Sequence, residues 1–295
     1  MSERPYLILN GDVPLSARIY RSGDDLTERQ PAVLVTGSWL TVKEQMAHRY
    51  ARALADRGYT AFTFDFSGFG ASGGALRQAE MPARKIADIT AAARYVAGLS
   101  FVRADRVGYL AICASAQYAL RAIAEGAPIS SFVSVAGWYH DTPSVAPFYG
   151  GPHGVAQRLD RAGDAFDEYR RTGRTRMVPA YENGNDRAGM FFELDYYASA
   201  ERGAVPQWRN EMAEFSWLYW LTFDGLSPAE RVGVPSLFVH SDDCVLPDNA
   251  KLVQQRVSGP SELVWAEGTQ IDFYDQPAQV ALSVDAADRH FRRTL

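Results

Sequence analysis

Polar and apolar positions alternate near the start of the chain, from Tyr6 to Leu9 and again from Ser16 to Tyr20, around an Asn10-Gly11-Asp12 turn signal. Alternation around such a turn predicts a β-hairpin. Beyond it the pattern changes to short, unbroken apolar runs rich in β-branched residues, at Ala32 to Thr36, Thr60 to Asp65, Arg106 to Ile112, Phe132 to Ala136, Ser236 to His240 and Glu262 to Trp265. Runs of that length predict strands buried on both faces of a parallel sheet. Helical spacing fills the intervals from Glu44 to Arg57, Ala83 to Ala97 and Ser115 to Glu125, closed by Gly58, Gly98 and Gly126, and again from Asn249 to Val257 and Ala278 to Arg293. Glycine just past the last helical residue is a stop signal. Strands alternating with helices predict an α/β fold, a mostly parallel sheet covered by helices on both faces.

The alternation breaks once. From Trp138 to about Arg231 there is no buried-strand run, only aromatic-rich helical or irregular pieces. An insertion at the carboxyl ends of the strands is expected to lie over the sheet as a cap. The division is then a core of residues 1–137 and 232–295 with a cap insertion of 138–231. A separate helical domain is the alternative, but no Pro/Gly/Ser-rich linker marks its edges. The length of 295 residues suits one α/β domain carrying such an insertion.

Composition narrows the partners. Apolar residues make up 47% and charged residues 22%, which argues for a globular core and against a disordered or fibrous chain. A net charge of −5 with interspersed signs forms no basic stripe, so nucleic acid is not an expected partner. No window approaches the roughly 18 consecutive apolar residues of a spanning helix, so no membrane is expected. Only Cys113 and Cys244 occur, and the first ten residues lack a signal-peptide apolar stretch, which together suggest a cytoplasmic setting. A homodimer is compatible with all of this.

The segment with the clearest chemistry runs from Arg106 through Gly108, Ile112 and Cys113 to Leu120, a strand leading straight into a helix. A nucleophile presented on such a sharp turn needs small residues two before and two after it. Centring on Cys113 gives Ala111 and Ser115, whereas centring on Ser115 puts the long Gln117 on the crowded side. Cys113 is the better centre. A free cysteine is often only a small buried apolar residue. Here the start of the following helix is expected to stabilise a thiolate and lower its pKa.

These residues resemble the elbow of bacterial α/β-hydrolases related to dienelactone hydrolases and to the YcjY-like group, whose elbow reads Gly-x-Cys-x-Ser/Gly-Gly. The resemblance covers nearly the whole chain. It extends to Val35-Thr-Gly-Ser-Trp39, followed by Lys43-Glu-Gln-Met46, to Phe64-Asp-Phe-Ser-Gly-Phe-Gly-Ala-Ser-Gly73, and to Ile271-Asp-Phe-Tyr-Asp275. It implies an α/β-hydrolase fold with a helical cap insertion, and an oxyanion hole formed by the backbone N–H of Ala114 and that of Ser38 or Trp39. It also places the acid of a triad at Asp242 or Asp243, with Asp242 preferred. A solvated turn with capping carboxylates is the plain alternative there.

The same resemblance puts Gln270 where relatives carry the catalytic histidine. An amide donates and accepts hydrogen bonds but takes up no proton near neutral pH. Three explanations compete. A thiolate at Cys113 attacks without a base; or His140 or His153 reaches the site from the cap, His48 and His290 being poorer candidates; or the fold no longer hydrolyses, and Gln270 orients a ligand in a binding, lyase-like or cyclising role.

Two competing signals carry little. Gly68-Phe-Gly-Ala-Ser-Gly73 matches G-x-G-x-x-G, yet Gly74 and Pro82 delay the helix that a dinucleotide site needs, so no cofactor is expected. His240, Asp242, Asp243 and Cys244 are too closely spaced in sequence to make a metal site, and none is expected. A pocket under the cap is expected to include Trp138, Tyr139 and His140. With so many aromatic residues nearby, it would favour a small apolar or aromatic carbonyl substrate. The resulting expectation is a hydrolase of small esters, lactones or thioesters, with Gln270 positioning water. The alternative is a non-hydrolytic protein of the same fold.

Overall fold

The computed structural model describes residues 2–23 and 25–295. Strands β1 (Ser2–Asn10) and β2 (Val13–Arg21) form the hairpin, and β3 (Gln30–Thr36), β4 (Thr60–Phe64), β5 (Val102–Ile112) and β6 (Ser131–Val135) follow. A two-stranded ribbon of β7 (Met177–Val178) and β8 (Met212–Ala213) precedes β9 (Ser236–His240) and β10 (Ser261–Trp265). The main sheet has eight strands in the order β1-β2-β4-β3-β5-β6-β9-β10. Only β2 pairs antiparallel with its neighbours; every pairing from β4 to β10 is parallel. The expected strands are therefore present, and the apolar runs of β4, β6 and β9 are explained by burial on both faces; β10 departs from the expectation, because at the edge of the sheet it has a neighbour on one side only and Glu262 and Leu263 are exposed.

Helices α1 (Met46–Ala55), α2 (Pro82–Ala97) and α3 (Ser115–Ala124) lie between the early strands. Segment 138–231 carries the short α4 (Thr142–Val145), the long α5 (Gly151–Thr172), and the short α6 (Asp195–Ala198) and α7 (Trp217–Trp220). Helix α8 (Pro247–Arg256) joins β9 to β10, and the short α9 (Asp272–Asp275) leads into α10 (Pro277–Thr294). Among the described residues no helix is long and apolar enough to cross a membrane.

One side-chain device fastens segment 138–231 to the rest, and another braces it from within. The guanidinium of Arg202 donates to both carboxylate oxygens of Asp275, at 2.8 and 2.6 Å, which ties the segment to α9. Bidentate pairs of this kind fix orientation as well as distance. Within the segment, the Arg158 guanidinium lies over the rings of Tyr149, Phe191 and Trp217, at 5.2, 5.3 and 5.5 Å from their centroids. Cation–π contacts of a desolvated arginine are each worth about 0.5–2 kcal/mol, enough to keep α5 against the aromatic layer beneath it.

The glycine-rich loop after β4 folds around its own carboxylate. Asp65 accepts from the backbone N–H of Lys43 at 2.8 Å and of Ala71 at 3.0 Å, and its Oδ2 pairs with Lys43 Nζ at 2.8 Å. A Cβ at Gly70 would come within 2.2 Å of Asp65 Oδ2, so the glycine makes room for that carboxylate.

Candidate functional site

Cys113 stands at the end of β5 with a φ of +57°, directly before α3. A left-handed conformation in a residue with a side chain costs on the order of 1 kcal/mol and persists only where the surroundings hold it. Here the Cys113 N–H donates to the Val135 carbonyl at 3.1 Å, while the Cys113 carbonyl accepts from the N–H groups of Ala116 and Trp138, both at 3.0 Å. Ser115 Oγ, in contrast, faces inward, 3.1 Å from the carbonyls of Thr36 and Ile112, and accepts the Ile112 N–H at 3.1 Å. The elbow is thus centred on Cys113, and Ser115 serves as a tie beneath it. Three further positive-φ residues surround the same end of the sheet: Leu40 beside Trp39, Ala136 after β6, and Leu246 beside Val245. Strain concentrates where the strand ends are forced together.

The hydroxyls of Ser38 and Tyr274 and the backbone N–H groups of Ala114 and Trp39 lie around Cys113, and each favours the anionic form of its sulfur. The Ser38 N–H is turned away, donating to Met46 Sδ at 3.4 Å, which leaves Trp39 as the backbone donor from this loop. A Cβ at Gly37 would lie 2.7 Å from the same sulfur, so the loop approaches α1 closely only because residue 37 has no side chain. Burial nevertheless pushes the Cys113 thiol above its ordinary range, the four donors opposing it only in part. The lowering expected from the helix start does not survive, because loss of solvent outweighs the N–H groups at that position.

Gln270 is held at both ends. Its Oε1 accepts the Val245 N–H at 3.1 Å, and its Nε2 donates to the Ala136 carbonyl at 2.8 Å and to the Tyr274 hydroxyl oxygen at 3.3 Å. The Tyr274 hydroxyl lies 3.1 Å from Ser38 Oγ, which in turn accepts from the Tyr197 hydroxyl at 3.1 Å. A chain of hydroxyls therefore runs from Gln270 through Tyr274 and Ser38 to Tyr197.

The carboxylates are elsewhere. Asp242 and Asp243 are exposed, and Asp242 pairs with Lys251 at 3.4 Å. A hydrogen bond from Trp265, together with Lys251, holds the Asp242 carboxyl below the usual range. Neither carboxylate meets Gln270, so the tight turn after β9 directs these side chains to solvent and sends Val245 inward instead.

The histidines do not fill the gap. His140 is buried with both ring nitrogens engaged: Nδ1 faces the Trp138 indole N–H at 2.7 Å and Nε2 faces the Trp220 carbonyl at 2.8 Å. Burial pushes its pKa down to about 4. His153 is exposed on α5, next to Gln157. His48 bonds Tyr20, and His290 pairs with Glu262.

A cavity of about 100 Å³ opens beside Cys113, Ser38, Trp39, Gln270 and Tyr274. Its roof comes from segment 138–231, through Trp138, Phe148, Tyr149, Met190, Tyr197 and Trp220 among others. Of the expected pocket residues Trp138 lines it, whereas Tyr139 and His140 sit one layer behind; the Tyr139 hydroxyl donates to Ser134 Oγ at 2.7 Å. Among the described residues that line the cavity there is no Asp, Glu, His, Lys or Arg. Tyr274 and Tyr197 were not singled out from sequence. Tyr274 lies in the Ile271–Asp275 segment of the resemblance and four residues after Gln270, and those were the signals that could have found it.

The model of the Alpha/beta hydrolase family matches residues 32–282. The protein PA2218 of Pseudomonas aeruginosa is 25% identical over 274 residues, covering 90% of this chain and 73% of PA2218. Its crystal structure superposes with a TM-score of 0.86, over 100% of this chain and 94% of that one, at 24% identity. YcjY of Escherichia coli is 33% identical over 147 residues, covering 46% of this chain and 48% of YcjY. The acyltransferase drtE of Aspergillus calidoustus is 28% identical over 127 residues, covering 43% of this chain and 40% of drtE.

Proposed function

This chain belongs to the alpha/beta hydrolase family, and we propose that it is a hydrolase-type enzyme in which the Cys113 thiol takes up the acyl group of a small apolar or aromatic ester, lactone or thioester. The observation that carries this reading is the place of Cys113, at φ +57° in the turn just before α3, lining a cavity together with Ser38 and Trp39 of the loop after β3. Donors preorganised around a developing oxyanion supply the largest single part of acyl-transfer catalysis, about 2.7–4 kcal/mol for one side-chain donor.

Among acyl donors, thioesters suit the site best. Exchange of one thiol for another across a carbonyl needs little driving force and no charged base, and Gln270 offers none. Hydrolysis of the resulting acyl-enzyme is the slow half, because no residue lining the cavity removes a proton from water. A thiol, alcohol or amine acceptor then competes well with water, in keeping with the name of the acyltransferase drtE among the relatives. The apolar roof selects the acyl chain, and segment 138–231 acts as the cap.

A second reading has one observation in its favour: both ends of the Gln270 amide are tied. On that reading the donor array holds an enolate or other anion without any acyl-enzyme, as a ligand binder, lyase or cyclase would. The two are separated by intact-mass measurement after incubation with butyryl and benzoyl thioesters and the matching p-nitrophenyl esters. A mass gain of one acyl group, absent in Cys113→Ala, is the expected result. No adduct and no turnover with any donor would sink the acyl-enzyme reading.

A further inference from the structure

We infer that Tyr274 is a catalytic residue, held by Gln270 as a hydrogen-bond donor, and that its hydroxyl passes the proton of Cys113 to the leaving group. The inference rests on the reading of Cys113 as the acyl acceptor, and adds to it the route of the proton.

The polarity of the Gln270 amide is fixed by its two backbone partners. Val245 N–H can only donate and the Ala136 carbonyl can only accept, so Oε1 must face the first and Nε2 the second. A flipped amide would put two donors and two acceptors against each other. With that orientation fixed, Nε2 also donates to the Tyr274 oxygen at 3.3 Å. The phenol accepts on that side, so its own proton must point to the other.

On that side lie Ser38 Oγ, at 3.1 Å, and the cavity that Tyr274 and Cys113 both line. Ser38 is directed the same way, because its oxygen accepts the Tyr197 hydroxyl. Gln270 and Tyr197 thus stand behind two hydroxyls and turn both toward the reacting sulfur. All four side chains line the cavity beside Cys113 or reach it, so an acyl donor seated there meets the phenol directly.

This arrangement balances the acylation step without an ionised intermediate on the protein. The sulfur of Cys113 forms a bond to the carbonyl carbon, and the bond from that carbon to the leaving sulfur or oxygen breaks. With the acyl donor seated, the phenolic O–H turns from the sulfur to the leaving atom; the thiol proton then moves to Tyr274 Oη while the phenolic proton moves to the leaving atom. Tyr274 ends as it began. In the second half the acceptor's proton travels back through the same oxygen to the Cys113 sulfur, as the acyl group leaves it. Such a neutral shuttle suits a site in which burial keeps both the thiol and the phenol protonated.

The decisive variant is Tyr274→Phe. The ring keeps its edge contacts with Tyr196 and Tyr197, at 5.1 and 6.3 Å between centroids, so the packing of α9 is retained. Acylation of Cys113 is followed in a single turnover with two donors that carry the same acyl group. An alkyl thioester must have its leaving thiol protonated; a p-nitrophenyl ester departs as a stable anion. Loss of an acid–base group costs about 10²–10⁴-fold where it moves a proton. Tyr274→Phe is therefore expected to slow the alkyl thioester by about 10²-fold or more and the p-nitrophenyl ester by less than about tenfold. Gln270→Leu should bias the two donors in the same direction, more weakly.

An equal effect on both donors, or none, would overturn the shuttle and leave Cys113 as acyl acceptor untouched. Absence of any wild-type adduct would remove the Cys113 reading itself. A measurement on the wild type alone guards against a misfolded variant: acylation by the alkyl thioester should show a normal solvent deuterium isotope effect, and an effect of unity would overturn the proposal.

Discussion

The indole of Trp39 stacks on that of Trp220, with ring centroids 4.3 Å apart and 20° between the planes. This contact joins the loop after β3 to α7, and the backbone N–H of Trp39 is one of the donors acting on Cys113. The packing of segment 138–231 and the placing of a backbone amide near Cys113 therefore meet in one residue. Trp220 also lines the cavity, so Trp220→Phe is expected to keep the fold while widening the space for the acyl chain. Each methylene newly accommodated is worth about 0.8 kcal/mol, or about fourfold in relative rate. Paired acyl thioesters of increasing length, competed against each other and read by the mass of the Cys113 adduct, should show that shift toward longer chains. An unchanged ranking would mean that Trp220 does not set chain length.

Ser115 and Cys113 are two residues apart and make a natural control for each other. Ser115→Ala removes the hydroxyl that ties Ile112 and Thr36 beneath the elbow. Leaving buried backbone groups without that partner costs about 1–3 kcal/mol. The urea midpoint of Ser115→Ala is expected to fall accordingly, while acylation of the remaining folded protein proceeds within a few-fold of wild type. Full stability with lost acylation would reassign the reacting residue to Ser115.

Much of this molecule was legible from its sequence, for identifiable reasons. The inner parallel strands announce themselves as unbroken apolar runs because both faces are covered, and Ser236–His240 matches the expected strand residue for residue, whereas the edge strand β10 is half exposed. The elbow was legible because steric crowding demands small residues at 111 and 115, a local rule. The choice between Ser38 and Trp39 was not, since it depends on Met46 from the next helix receiving one of the two N–H groups. Nor was the pKa of Cys113, where long-range burial overrides a local helix-start effect. The hydroxyl chain of Tyr274, Ser38 and Tyr197 joins residues separated by 236 and 159 positions, beyond any pattern in one sequence.

The acid residues show the same limit. Asp242 has the expected spacing but points to solvent and meets Lys251. An exposed pair of this kind contributes little to stability, with a median near 0–1 kcal/mol. Asp242→Asn is expected to leave both the acylation rate and the urea midpoint essentially unchanged. A fall of about 10²-fold or more in acylation would show that the carboxylate takes part in proton transfer after all.

His140 gives a pH dependence whose sign is fixed by its neighbours. The Trp138 indole N–H can only donate and the Trp220 carbonyl can only accept, so Nδ1 is bare and Nε2 carries the proton. Protonating Nδ1 would set two N–H groups against each other in a buried site, and burial already pushes the pKa down to about 4. The unfolded chain, with an ordinary histidine near 6.5, takes up the proton first as pH falls. The contribution is thus fully present above about pH 6.5 and is lost progressively down to about pH 4, with a size on the order of 3 kcal/mol. His140→Gln keeps an acceptor for Trp138 and a donor for Trp220 but cannot titrate. Urea unfolding at steps between pH 7 and pH 4.5 should show wild type losing stability more steeply than His140→Gln, whatever the offset between them at neutral pH. Parallel curves would mean that His140 is protonated in the folded protein as easily as in the unfolded chain.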